Sequence, residues 1–174
     1  MDKRIIRVFP RRTSLTPRDD LAFVGDPPLM RPDAGEVHVS CTFTWDVPAA
    51  RRLVQAWGQY YPVVRLGGPA IAPDDGAFVP GRYLRAGVTF TSKGCNNFCA
   101  FCLVPAREGR LALIDPIPDG WIIQDNNFTQ VPAAHRRKAY AMLSRQSHAA
   151  VFSGGLQASL ITEDLAAELR DVRI

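Results

Sequence analysis

Short β-branched runs alternate with amphipathic helical stretches along this 174-residue chain, and that alternation constrains its fold more than any other feature. Ile5-Ile6-Arg7-Val8-Phe9 and Glu36-Val37-His38-Val39-Ser40-Cys41-Thr42-Phe43 have the composition of strands. Asp46 and Pro48 open a helix, with the carboxylate expected at its N-cap and the proline in its first turn. Val47, Leu53, Val54, Trp57 and Tyr61 supply the apolar positions of that helix. Val63-Val64-Arg65-Leu66 is the next strand, ended by Gly67-Gly68-Pro69. From Gly87 the alternation resumes with Val88-Thr89-Phe90-Thr91, then Gly120-Trp121-Ile122-Ile123-Gln124. A helix from Pro132 to about Ser147 leads to the strand Ala149-Ala150-Val151-Phe152, and Thr162-Glu163-Asp164 caps a last helix bearing Leu165, Ala166 and Leu169. Consecutive βα units joined by right-handed crossovers make parallel sheets, and such sheets gather ligands at the C-terminal ends of their strands.

An apolar content of 47% allows a sizeable core, and no apolar run approaches the roughly 18–20 residues that span a bilayer. A membrane partner is therefore not expected. The net charge of +4 comes partly from Lys3, Arg4, Arg7, Arg11 and Arg12 and partly from Arg136-Arg137-Lys138. Basic clusters bind phosphates, so nucleic acid stays open as a partner, while a solvated helix face is the plainer reading. Four cysteines without an evident secretory leader do not suggest a disulfide scaffold.

Three of those cysteines fall within Cys95-Asn96-Asn97-Phe98-Cys99-Ala100-Phe101-Cys102. Three thiolates this close can grip one inorganic centre, yet iron–sulfur clusters held wholly by protein take four cysteines. A cubane with one open iron answers that shortfall, as catalytic zinc sites keep a position free. Zinc is the competing ligand, but it favours paired knuckles with a fourth donor nearby. The nearest downstream histidine is His135, and His38 lies far upstream on an apolar strand. Unliganded core cysteines are the third reading, and Cys41, on that same strand, is expected to be a buried small apolar residue.

The Cys-x-x-x-Cys-x-x-Cys pattern, with an aromatic before its last cysteine, resembles the cluster motif of the radical S-adenosylmethionine superfamily. The resemblance implies a [4Fe–4S] cluster on Cys95, Cys99 and Cys102, whose open iron chelates S-adenosylmethionine and whose electron splits the sulfonium to a 5′-deoxyadenosyl radical. It also implies a reductant such as a flavodoxin or ferredoxin, and a reducing cytoplasmic setting. Val104-Pro105-Ala106-Arg107-Glu108-Gly109 resembles the stretch that follows the cluster loop in several subfamilies, although Arg107 and Glu108 also read as a solvated pair.

Two parts are expected. Residues 1–86 resemble a reduced form of the Rossmann-like domain that precedes the core in cobalamin-dependent subfamilies, and residues 87–174 resemble the first three βα units of the core. The expected fold class is α/β, a small Rossmann-like βαβ part followed by a partial (β/α) barrel with parallel strands. Cobalamin is disfavoured, because no Asp-x-His-x-x-Gly loop is present and His38 sits inside a strand.

The resemblance carries cofactor contacts to three further places. Phe101 matches the position whose backbone lies against the adenine. Asp125-Asn126-Asn127 stands where the family often has Gly-Gly-Glu, so the methionyl ammonium would meet altered chemistry there. Ser153-Gly154-Gly155 ends the following strand on the same rim. Asn-Asn and Gly-Gly are also ordinary turn formers. Asp171-Val172-Arg173-Ile174 reads as the opening of a fourth strand, as though the chain were truncated. The substrate and the catalytic residues stay unknown. The alternative function is a non-catalytic metal- or cluster-binding module that meets nucleic acid or a protein partner.

Overall fold

The structure, a computed structural model, describes residues 4–71 and 81–172. The chain forms two compact units that part around residues 75–86.

The first unit is built on four parallel strands, β1 (Ile5–Phe9), β2 (Ala22–Val24), β3 (Glu36–Ser40) and β4 (Val64–Gly67), in the order β2-β1-β3-β4. The period-two alternation of the sequence becomes a two-faced sheet. Ile6 pairs with Val37 and Val8 with Val39, and all four are fully buried. Ala50, Leu53 and Trp57 of helix α1 (Val47–Gly58) join them in one cluster. At the intervening register Arg7, His38 and Arg65 lie side by side across three strands. His38 is hydrogen-bonded on both nitrogens, to Tyr83 Oη at 2.9 Å and to Glu36 Oε2 at 3.2 Å. Cys41 is fully buried, its Sγ donating to the Phe43 carbonyl at 3.3 Å, and burial pushes the thiol pKa up.

Two local expectations are revised here. The strand at Glu36 ends at Ser40 rather than Phe43. Asp46 occupies the N-cap position of α1 but makes no capping hydrogen bond. Arg11 claims both its carboxylate oxygens, Nε to Oδ2 at 2.7 Å and Nη2 to Oδ1 at 2.5 Å. A bidentate, charge-assisted pair outcompetes a single backbone donor. Strand β2 has no signature in the sequence, because three residues after a proline-rich stretch carry no measurable period. It is held by Arg7 N–H on the Leu21 carbonyl at 2.7 Å and Gly25 N–H on the Phe9 carbonyl at 3.0 Å.

The second unit contains three very short parallel strands, β5 (Val88–Thr89), β8 (Ile122–Ile123) and β9 (Val151–Phe152), in the order β5-β8-β9. Between β5 and β8 lie β6 (Ser92–Lys93), the single-turn helix α2 (Val104–Arg107) and β7 (Ala112–Leu113), with β6 and β7 antiparallel. Helix α3 (Ala133–Ser144) connects β8 to β9, and α4 (Glu163–Asp171) follows. Ala139, Met142 and Leu143 of α3 pack with Ile123, Phe128, Val131 and Ala150. Two members of the basic run of α3 are ion-paired: Arg136 reaches Glu168 at 2.9 Å, and Lys138 meets Asp115. Thr162 caps α4 as the sequence leads one to expect, its Oγ1 accepting from Leu165 N–H at 3.2 Å.

Here too the boundaries move. The expected strand Val88–Thr91 stops at Thr89, and the chain turns into β6. The fourth strand expected at the end does not begin at Asp171, which closes α4; Arg173 and Ile174 lie outside the described residues. Both units therefore contain a parallel sheet with helices, the second with the antiparallel β6–β7 pair besides, and among the described residues no helix is long and apolar enough to cross a membrane.

Candidate metal centre

The cysteine loop lies inside the β6–β7 hairpin, so antiparallel pairing closes it at the base instead of a strand-to-helix turn. Gly94 makes that closure possible. Its φ of +74° lies in the left-handed region, and a Cβ there would overlap the carbonyl of Arg110. Cys95 N–H then bonds the Gly109 carbonyl at 3.2 Å, and the Glu108 carboxylate accepts from Gly94 N–H at 3.3 Å. The Val104–Gly109 stretch thus forms the far wall of the loop.

The loop is anchored below by a buried carboxylate. Asp125, fully buried, accepts from Thr91 N–H at 2.7 Å, Thr91 Oγ1 at 2.5 Å and Ser92 Oγ at 2.7 Å. The Thr91 carbonyl in turn accepts from His135 Nε2 at 2.9 Å. Thr91 thus gives its N–H and its hydroxyl to Asp125, while its carbonyl also accepts from the backbone N–H of Ile114 at 2.9 Å. Burial pushes the Asp125 carboxyl above the ordinary carboxylate value although the Thr91 and Ser92 donors pull it down. Expected as a cofactor contact, Asp125 is occupied in holding the chain just ahead of Cys95.

Asn126 and Asn127 look the other way. Asn126, half-buried, donates Nδ2 to Glu108 Oε2 at 2.5 Å, the oxygen that Gly94 also uses. Asn127, buried, turns Nδ2 toward Cys95 Sγ at 3.9 Å and toward Gln157 Oε1 at 3.0 Å. The Gln157 oxygen is a meeting point, accepting also from Asn97 Nδ2 at 2.8 Å and Gln130 Nε2 at 3.3 Å. Gln130 closes the ring, taking Asn96 N–H at 2.9 Å and giving to Asn97 Oδ1 at 3.0 Å.

The Ser153-Gly154-Gly155 turn supports this ring from behind. Gly155 N–H bonds the Asp125 carbonyl at 2.9 Å, and the Gly155 carbonyl accepts from Phe128 N–H at 2.9 Å. A Cβ on Gly154 would overlap the Asp125 carbonyl, and one on Gly155 that of Asn126. The double glycine here lets two backbones touch, and Ser153 Oγ spends its proton on Gln124 at 2.6 Å.

The three sequence-predicted ligands differ in environment. Cys95 is buried, Cys102 is half-buried and Cys99 is exposed. Cys102 N–H bonds the Cys99 carbonyl at 2.9 Å, a turn that carries these two residues together on the outer part of the loop. Phe101 is 91% exposed, and Phe98 is exposed beneath the Arg110 guanidinium, which lies 5.5 Å from its ring centre. Among the described residues no three His, Cys, Asp or Glu side chains stand close enough to enclose a single ion. A tetrahedral zinc site draws its sulfurs to about 2.3 Å from one point. A multi-iron group is held at separate corners, and its thiolates accept N–H donors of the kind that surround Cys95. The donor set, three thiols with His135 engaged elsewhere, fits such a group.

Gln130, Gln157 and Thr129 complete the site without having been marked by any motif, whereas Glu108 lies in the stretch singled out after the cysteines. One signal for them is present: all four asparagines of the chain fall in two Asn-Asn-Phe triplets, residues 96–98 and 126–128, and the fold joins the triplets through Gln157. No protein-family model matches the chain, and neither a curated protein nor a solved structure matches it.

Proposed function

We propose that the chain is a radical S-adenosylmethionine enzyme, or the cofactor-binding half of one, with a [4Fe–4S] cluster on Cys95, Cys99 and Cys102. The observation that carries this reading is the thiol triplet itself: three cysteines at spacings of four and three on one closed loop, one of them buried among amide donors. The second unit is then the opening of a partial (β/α) barrel, working in a reducing, cytoplasmic setting with a small electron-transfer protein as reductant.

When bound, the cluster supplies one electron to the sulfonium of S-adenosylmethionine and so generates a carbon radical. The chain's own part is to bind and orient. Cys95, Cys99 and Cys102 would hold the cluster, and three thiolates would leave a position free for the methionyl moiety. Asn126 is half-buried and holds the Glu108 carboxylate through its Nδ2, and that carboxylate is the acceptor the pair offers to a cationic ammonium. Asp125 acts one step back, holding Thr91 and Ser92 so that the loop starts from a fixed point. Exposed Phe101 offers its backbone and ring to a flat base.

Anaerobic reconstitution with iron and sulfide, read by metal analysis and electron paramagnetic resonance with and without S-adenosylmethionine, tests the reading. Cys95→Ala, Cys99→Ala and Cys102→Ala should each abolish the cluster, while Cys41→Ala, in the core of the first unit, should leave it intact. Stoichiometric zinc with no bound iron would overturn the assignment.

A further inference from the structure

The amide ring around Cys95 carries more than loop closure. Thr129 Oγ1 accepts from Gln157 N–H at 2.9 Å, so its own proton goes to Asn127 Oδ1 at 2.7 Å. With its oxygen taken, the Asn127 carboxamide can present only N–H groups to its other neighbours. One faces Gln157 Oε1 and the other Cys95 Sγ. The direction of the side-chain amide is therefore fixed by a hydroxyl on its far side from the sulfur. The Asn97 backbone N–H adds a second donor to the same sulfur at 3.4 Å. Asn127 is 5% exposed, so these contacts are shielded from water.

We infer that Asn127 is a positioning and tuning residue for the group held by Cys95, oriented by Thr129, whereas Gln130 serves only to tether the loop. This rests on the cluster reading above. An N–H donor withdraws electron density from a thiolate and favours the reduced, more negative state of the centre it ligates. Gln130 makes no contact with the sulfur; it reaches Asn96, Asn97 and Gln157. The two amides thus lie in one ring with separable roles.

The test uses the full chain, reconstituted anaerobically, with the midpoint potential read by redox titration followed by electron paramagnetic resonance. Asn127→Leu keeps the approximate shape and removes the donor. At fixed potential its ratio of reduced to oxidised centre should fall about tenfold, which is about 59 mV for a one-electron couple. Thr129→Val should shift the potential in the same direction by less. Gln130→Leu should leave the potential at the wild-type value while hydrogen exchange across residues 95–102 speeds up. Equal shifts in Asn127→Leu and Gln130→Leu would show a merely structural ring and overturn the inference. So would an unshifted, fully loaded Asn127→Leu, or an unshifted Thr129→Val should Asn127→Leu fail to fold. A wild-type chain that takes up no iron is a different failure, because it removes the cluster reading itself and the inference with it.

Discussion

The two units make parallel sheets by different means. In the first, five-residue strands such as β1 and β3 bury Ile6, Val8, Val37 and Val39 against Trp57, and apolar packing does most of the holding. In the second, each strand is two residues long, and the segments between strands are held by side chains: Asp125 on Thr91 and Ser92, and the carboxamides of Asn97, Asn127, Gln130 and Gln157 on one another. Two-residue strands bury little side-chain area, so polar contacts must fix the loops that a longer ladder would fix. The first arrangement tolerates polar change away from its core. The second leaves a buried donor or acceptor unpaired wherever one partner is lost, which is the costly case.

The largest expected effect is in the apolar unit. Trp57 is fully buried, touches Phe23 with ring centres 5.4 Å apart and Tyr61 at 5.8 Å, and gives its indole N–H to the Gly25 carbonyl at 3.0 Å. Trp57→Ala removes a large side chain and strands that carbonyl, so it should cost about 3–5 kcal/mol in urea unfolding. Hydrogen exchange should rise in β1 and β3 while residues 95–109 keep their protection. A loss below about 1 kcal/mol would mean that apolar packing is not what holds the first sheet.

The same contrast decides how much is legible in the sequence. Alternation and helical period report burial of apolar side chains, so β1, β3, α1 and β4 can be placed within a few residues. The parallel α/β class and the short core strands β5, β8 and β9 are legible for the same reason. Polar architecture leaves no such period. A carboxylate at a strand end suits a ligand contact, and nothing local announces that Thr91, 34 residues before Asp125, takes its oxygens. Ser153-Gly154-Gly155 has the look of a ligand turn, and nothing local announces that both glycines also admit the backbone of Asp125 and Asn126. Thr91 has the β-branched look of a strand residue, yet its N–H and hydroxyl go to the Asp125 side chain. The cysteine triplet is conspicuous in the sequence because residue spacing is a local property, while Gln157, far along the chain from Cys95, is not.

In the polar unit Asp125 provides the sharpest test. Asp125→Ala leaves Thr91 N–H and two hydroxyls without an acceptor and should cost about 3 kcal/mol. Asp125→Asn isolates the charge. The folded-state carboxyl pKa stands above its ordinary 3.8 because of burial, so the stability it contributes is complete below 3.8 and is lost as pH rises through the folded value. Wild type should therefore gain on Asp125→Asn as pH falls from neutral toward about 4, measured by urea unfolding at each pH. A difference that shrinks on acidification would mean that the donors outweigh burial and that the carboxylate form is favoured in the folded protein.

The smallest effects come from two glycines of opposite kind. Gly154→Ala puts a methyl group into the Asp125 carbonyl, and backbone cannot swing aside as a flexible side chain would. Loss of about 1–3 kcal/mol should follow, with faster exchange at residues 125–128. Gly58 is the last residue of α1, is exposed, and has nothing within 4 Å of the place an added methyl group would take. Its φ is not in the left-handed region, so Gly58→Ala limits the unfolded chain without straining the folded one and should stabilise by about 0.5–1 kcal/mol. Thermal unfolding of the two variants side by side gives shifts of opposite sign if glycine serves contact in the polar unit and merely ends a helix in the apolar one. Shifts of the same sign would erase that distinction, since the two substitutions add the same methyl group and differ only in what surrounds it.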